Sequence, residues 1–348
     1  KNIVHLIPAL DEAGRSLKRL LEYRFPETLK VESANQILSG LYNTEFDRDN
    51  SGLDPQFWKD LESVSYKQAR YIETQVISFL TYCLQEANNG KVFEFGDCSF
   101  GNLLFAGVFL RLGYDFNRTI ADLEREFKPA GRVVNVTQGE NYVLVGLKSD
   151  GTFLCDEAEI VSPQNSQVLE EIYLLENYLT ENEIQKLNDL DNLKSKKNFF
   201  KNKIRKPIIS VEAQSVLETA DLIIFGPGTQ HSSLFPSYLC EGVGEAISTN
   251  KTAEKVFVAN TRKDYEIQGE TMSSLCRKLH YYLNRKGEIN NPPESYVTRY
   301  FFQDPTGLQQ TGKDYLELES DNFAFPSRQT IITDWESDSG KHSGNRVL

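Results

Sequence analysis

Gly226-Pro227-Gly228-Thr229, followed by Ser232 and Ser233, is the segment of this chain best equipped for anion chemistry. Glycine lets a backbone turn sharply and approach a ligand closely, while unpaired N–H groups and hydroxyls donate to oxyanions. The loop follows Leu222 to Phe225, a short apolar run bounded by breakers that reads as a buried strand. If a helix starts there, its first N–H groups and partial positive charge suit a phosphate. An ordinary strand-to-helix turn, in which Ser and Thr merely cap, fits the same residues. His231 within the loop reads either as an acid, base or phosphate donor or as a plain surface side chain.

Other residues could join such a site. Asp11 and Glu12 follow a strand-like start over residues 1–10, and a carboxylate there could hold a magnesium ion bridging to phosphate, or cap a helix. Asn102, at the entry to an apolar helix, and Asn260, beyond Val256 to Val258, could each hydrogen-bond a ligand or act as caps. Gly269-Glu270-Thr271 reads as a helix start with an acid in its first turn, which suits the helix dipole without any further role. The chain has no Gly-x-Ser-x-Gly elbow and no Gly-x-x-x-x-Gly-Lys-Ser/Thr loop, which disfavours nucleophilic hydrolysis and P-loop phosphoryl transfer. Cys83, Cys98, Cys155, Cys240 and Cys276 are scattered without metal-ligand spacing and read as free thiols. His5, His280 and His342 show no such spacing either.

The elements that must carry these loops alternate between strand and helix. Helical patterns run from Ser16 to about Glu45, Leu53 to Glu86, Leu103 to Leu112, Ile120 to Phe127, Pro236 to Ser248 and Met272 to Leu283. Strand patterns cover residues 1–10, Val92 to Phe95, Leu222 to Phe225, Lys255 to Ala259 and Thr330 to Thr333. Between them, Arg132 to Val136, Tyr142 to Leu147 and Thr152 to Cys155 read as a small β region, with Ser149-Asp150-Gly151 as a hairpin turn. Residues 164–206 are charged and helix-prone and read as a solvated insertion. This alternation predicts a mainly parallel sheet with helices on both faces, its ligand loops gathered beyond the carboxyl ends of the strands.

Composition bounds the partners. The chain has 348 residues, 39% apolar and 25% charged, as expected of a globular protein. Its net charge of −12 argues against broad binding to nucleic acid or to an anionic membrane. No apolar run approaches a membrane span, and the start is too short in apolar residues for a signal peptide, so the expected location is cytoplasmic.

Taken in order, the loops resemble the family of 2-phospho-L-lactate transferases (CofD) and the related YvcK-type proteins. Ile7-Pro8-Ala9-Leu10-Asp11-Glu12-Ala13-Gly14-Arg15-Ser16 is similar to the family's Asp-Asp-Gly-Gly-Ser-Ser turn, and Leu20 to Phe25 to the Tyr-Arg-Phe element after it. Ser99-Phe100-Gly101-Asn102-Leu103-Leu104 matches a Ser-Phe-Gly-Asn-Leu-Leu block, and Gly131 to Thr137 resembles Gly-Arg-Val-x-Pro-x-Thr. Gly226 through Pro236 fits Gly-Pro-Gly-Ser-x-x-Thr-Ser-x-x-Pro, and Asn260 with Gly269-Glu270-Thr271 fits the last signatures. The family's Gly-Gly-Gly-Thr-Gly loop has no counterpart before Asp11, nor has its Pro-Pro-Gly-Asp-Ile-Arg segment after Ser16.

The resemblance implies a Rossmann-like three-layer α/β domain over residues 1–286, with a helical insertion at about 53–90, a charged insertion at about 164–206 and a C-terminal extension over 287–348. It implies that Asp11 is the magnesium ligand and catalytic group. Gly226, Gly228, Thr229, Ser232 and Ser233 would hold a diphosphate, and Asn102, Thr137 and Asn260 would border the nucleotide or acceptor. The implied partner is a nucleoside diphosphate or nucleotide sugar, with no nucleic acid and no membrane; a homodimer is compatible with this. Two activities stay open. One is transfer of a phosphorus-containing group with magnesium; the other is non-catalytic binding of a UDP-sugar in control of carbon metabolism or the cell envelope.

Overall fold

The computed structural model describes residues 12–27, 29–30, 48, 51–96, 98–163, 165, 167–304, 314–318, 330–336 and 342. The strand expected over 1–10, Asp11 and the helical pattern at Ile37, Leu38 and Leu41 lie outside them. The chain divides into two compact units, residues 1–135 and 136–348.

The first unit is helical: α1 (Glu12–Glu22), α2 (Pro55–Ser63), α3 (Tyr66–Asn88), α4 (Phe100–Arg111) and α5 (Phe116–Phe127). Its core joins Leu20, Leu21, Phe57, Ile72, Val76, Leu80 and Leu104, all buried. The single helix expected over Leu53 to Glu86 is two helices. Val64 turns extended, and the Ser65 side chain accepts the Gln68 N–H, so one helix ends and the next is capped afresh. Helices α3 and α4 touch closely at Gly107, where a Cβ would come within 1.8 Å of the Gln75 carbonyl oxygen. Val92 to Phe95 is not a strand. Its aromatic residues are held by ring packing, Phe93 against Phe79 at 5.2 Å and against Phe95 at 4.7 Å. Arg132 to Val136 is not a strand either, and its Val133 N–H is taken by the Glu124 carboxylate.

The second unit contains two sheets. An antiparallel sheet, in the order β2-β1-β3, joins β1 (Val143–Lys148), β2 (Phe153–Leu154) and β3 (Leu169–Leu175). Strand β3 corrects the reading of residues 164–206 as a solvated, helix-prone arm, because Leu169, Ile172, Tyr173, Leu174 and Leu175 are all buried. The acids that hid it are neutralised from elsewhere: Lys197 pairs with Glu170 at 2.8 Å, and Lys286 with Glu171 at 3.0 Å. Short helices do follow, α7 (Glu181–Asn188) and α8 (Leu193–Lys201), after α6 (Glu157–Val161) between β2 and β3.

The second sheet is parallel and carries the candidate site. Its order is β4 (Leu222–Phe225), β5 (Glu254–Val258), β6 (Arg299–Gln303) and β7 (Thr330–Thr333). Helices α9 (Val211–Thr219), α10 (Phe235–Tyr238), α11 (Val243–Thr249) and α12 (Met272–Leu283) stand before and between these strands. The mixed α/β architecture expected from the alternation is therefore present. Strands β6 and β7 extend the sheet past Gly287, and β6 was not foreseen. Strand β4 is not buried on both faces. Ile223 and Phe225 are covered, Phe225 by the Tyr238 ring at 5.7 Å, while Leu222 and Ile224 are 51% and 55% exposed. The helix expected over Pro236 to Ser248 breaks at Gly242, whose φ is +96° and whose Cβ would meet Ile209 at 2.4 Å.

Candidate functional site

The carboxyl ends of β4 and β5 lie side by side, since Phe225 pairs with Phe257 in parallel register. Each strand hands directly into a polar loop. Gly226-Pro227-Gly228-Thr229 leaves β4 and enters a π-helical turn over Gln230–Leu234 that continues into α10. Asn260 leaves β5 two residues beyond Val258 and is nearly buried.

Asn260 clasps the glycine turn. Its Nδ2 donates to the Gly228 carbonyl at 2.9 Å, and its Oδ1 accepts the Gln230 side-chain amide at 2.7 Å and, more distantly, the Gly228 N–H at 3.5 Å. These bonds fix which way the Asn260 amide faces, because the backbone carbonyl needs a donor and the backbone N–H an acceptor. The Thr229 and Ser233 hydroxyls lie 2.6 Å apart. One bond between two hydroxyls uses one proton and leaves the other for an acceptor. At Gly226 an added Cβ would meet nothing within 4 Å, so that side of the turn is open.

Ser232 is engaged differently. Its hydroxyl donates to Glu266 Oε1, and its N–H donates to Glu266 Oε2 at 3.0 Å; the His231 N–H reaches the same Oε2 at 2.9 Å. The loop's own N–H groups thus meet a carboxylate from the β5–α12 connection. Burial pushes the Glu266 carboxyl above the usual carboxylate range, against the pull of these hydrogen bonds.

His231 is not a surface side chain. It is fully buried, its ring edge-on to Phe235 at 5.1 Å and its Nε2 3.3 Å from Lys278 Nζ. Burial, then the neighbouring Lys278 charge, hold its pKa well below the ordinary value, so it is a neutral imidazole rather than a cationic phosphate donor. Lys278 also donates to Glu270 and to the Leu169 carbonyl, and Glu270 accepts from Ser274. Glu270 of the Gly269-Glu270-Thr271 signature is therefore a buried ion-pair partner, while Thr271 caps α12 at Ser274. The network forms one wall of a cavity of about 610 Å³ that also touches Glu170, Lys197 and Tyr281.

Of the residues singled out from sequence, Gly226, Gly228, Thr229, Ser232, Ser233 and Asn260 come together in this one place. Thr137 lies ahead of β1 in the same unit, where its hydroxyl accepts the Gly139 N–H at 3.2 Å. Asn102 belongs to the other unit, exposed in the first turn of α4 with its N–H capped by Ser99. Asp11 lies outside the described residues. Glu266 and Lys278 were not foreseen; each reaches the loop across more than thirty residues, with no spacing that marks it. Among the described residues no group of three or more His, Cys, Asp or Glu side chains could hold a metal ion, and both Glu266 oxygens are committed to the loop. The described residues alone do not compose a magnesium cage.

These features define a Rossmann-like α/β protein whose polar loops converge at the carboxyl end of a parallel sheet. The family model described as 2-phospho-L-lactate transferase CofD matches residues 2–301, and the chain belongs to the CofD family. It is similar to a putative gluconeogenesis factor from Thermotoga maritima, 26% identical over 232 residues, which are 65% of this chain and 60% of that protein. It is also similar to the gluconeogenesis factor of Halalkalibacterium halodurans, 29% identical over 176 residues, covering 50% of this chain and 44% of that one. The chain thus matches less than two thirds of the length of either relative. A crystal structure of a UPF0052 family member from Bacillus halodurans aligns over 80% of both chains with a TM-score of 0.53 and 19% identity, which is a likeness of fold. No described helix is long and apolar enough to cross a membrane.

Proposed function

We propose that the chain binds a nucleoside-diphosphate-linked small molecule at the β4 loop, and that it serves as a binding component of carbon metabolism in the manner its gluconeogenesis-factor relatives are named for. The observation that carries this reading is the clasp of Asn260 on Gly228. It joins two adjacent strand ends into one preformed turn, with the open backbone of Gly226 on one side and the Thr229–Ser233 hydroxyl pair on the other. Hydroxyl and N–H donors around a turn of small residues suit the oxygens of a diphosphate. Thr137, in the same unit as the loop, is proposed to border the rest of the ligand.

A second reading, transfer of a phosphorus-containing group, is favoured by the family's description. Its magnesium ion would be held in part by oxygens of the ligand itself, and would neutralise charge on the transferred group. In both readings the loop's own part is to orient the diphosphate. Thermal shift and calorimetry with UDP- and GDP-linked ligands test the binding. Phosphorus NMR of the same mixtures with magnesium and an added deazaflavin alcohol as acceptor separates the readings. A transferase passes the phosphorus-containing group to the acceptor hydroxyl and releases a nucleoside monophosphate, while a binder leaves the ligand intact.

A further inference from the structure

The strand-end loop already grips an oxyanion, and it is one of the chain's own. Two backbone N–H groups and one hydroxyl, from His231 and Ser232, converge on both oxygens of the Glu266 carboxylate. Glu266 is 4% exposed, and these partners are neutral donors, not a lysine or arginine. Donors that bridge two oxygens of a planar carboxylate also fit two oxygens of a phosphate, since both groups accept at similar spacing. A second feature of the loop points to a ligand. Gln230, the residue before His231, is fully buried with its Nε2 bonded to Asn260, yet its Oε1 has no hydrogen-bond partner. A buried acceptor left unmet is costly, and a hydroxyl or N–H of a ligand can meet it.

We propose that Glu266 is an internal competitor for the ligand's phosphate. When the nucleoside-diphosphate-linked molecule binds, the donors of His231 and Ser232 pass from the Glu266 carboxylate to a phosphate oxygen. The displaced carboxylate, now facing a second anion, lowers the affinity of the site. The proposal rests on the β4 loop being the diphosphate site and assigns that site its regulation. Glu266 comes from the Arg262 to Gln268 connection, so whatever moves that connection also sets how readily the loop accepts a ligand.

The test is calorimetric titration of UDP and GDP into the full chain and into Glu266→Gln. Glutamine keeps a carbonyl oxygen for the two N–H groups and an amide for the Ser232 hydroxyl, so the cap survives while the charge is lost. The expected result is nucleotide binding at least about fivefold tighter in Glu266→Gln, with an unchanged melting temperature. Glu266→Asp, whose shorter arm draws the carboxylate back from the donors, carries the same expectation and serves if the glutamine variant does not fold. Binding detectable only in the variants also supports the competitor. Wild-type binding that neither variant tightens overturns it while leaving the loop as the nucleotide site. Absence of binding in all three overturns both.

Discussion

Asn260 holds Gly228 through its own backbone groups, donating to the carbonyl at 2.9 Å and accepting from the N–H at 3.5 Å. The 2.9 Å bond is the firm one; the other sits at the limit of a hydrogen bond. Replacing Asn260 with Ala removes its bonds to the Gln230 amide and the Gly228 carbonyl and leaves the buried Gln230 amide only its longer 3.4 Å contact with that carbonyl. A buried amide left so poorly bonded costs about 1–3 kcal/mol. The expected outcome for Asn260→Ala is a lower melting temperature together with a loss of nucleotide affinity of about tenfold or more. A stability loss with unchanged affinity would separate the clasp from the site.

The Thr229 and Ser233 hydroxyls face each other at the mouth of the turn. Neither is buried, so Thr229→Val with Ser233→Ala should change stability by no more than about 0.5 kcal/mol. The one hydroxyl proton that the pair leaves free is worth about 1.5–3 kcal/mol against a charged diphosphate, so affinity should fall by about tenfold or more. Parallel chemical denaturation and calorimetry measure the two effects.

Behind the loop, Lys278 links His231, Glu270 and the Leu169 carbonyl. Removing its charge in Lys278→Met leaves Glu270 buried with no counter-ion. A buried pair broken on one side costs about 3–5 kcal/mol. The variant should unfold at markedly lower urea concentration, and the double variant Lys278→Met with Glu270→Gln should recover a large part of the loss. A double variant no more stable than Lys278→Met would show that the ion pair is not what Lys278 contributes.

How far the sequence exposed all this depended on whether the signal was local. Helix α12 was readable to the residue because its apolar spacing and its Thr271 cap both lie within a few positions. Strands β4 and β5 were readable as short apolar runs between breakers. Strand β3 was not, because Glu170 and Glu171 look solvated until Lys197 and Lys286 are brought to them by the fold. Arg299-Tyr300-Phe301-Phe302-Gln303 did carry a signal, an aromatic run between Pro-containing segments, that the asparagine- and proline-rich surroundings masked. In the site, the glycine turn and Asn260 were visible as residue types. Glu266 was not, since an acid in a charged loop has no periodicity to betray its target.

Glu73 gives the helical unit a pH dependence. Burial raises its carboxyl to about 7, Oε1 has no hydrogen-bond partner, and Arg70 lies 3.2 Å from the other oxygen. Between pH about 4.5 and 7 the folded chain holds a proton on Glu73 that the unfolded chain has released. This contribution is therefore full below pH about 4.5, is lost as pH rises toward 7 and is flat above, with a span of roughly 1–3 kcal/mol. Glu73→Gln should flatten this part of the stability profile and be the more stable protein at pH 8. Denaturant midpoints at pH 5 and pH 8 for both proteins measure it.

The central claim is that the loop between β4 and α10 receives a nucleoside-diphosphate-linked molecule. The most direct measurement is calorimetric titration of a UDP- and GDP-linked panel into the full chain with and without magnesium, repeated with Asn260→Ala. The account predicts saturable binding of at least one such ligand, weakened about tenfold or more in the variant. No binding across the panel, or binding that Asn260→Ala leaves untouched, would contradict it.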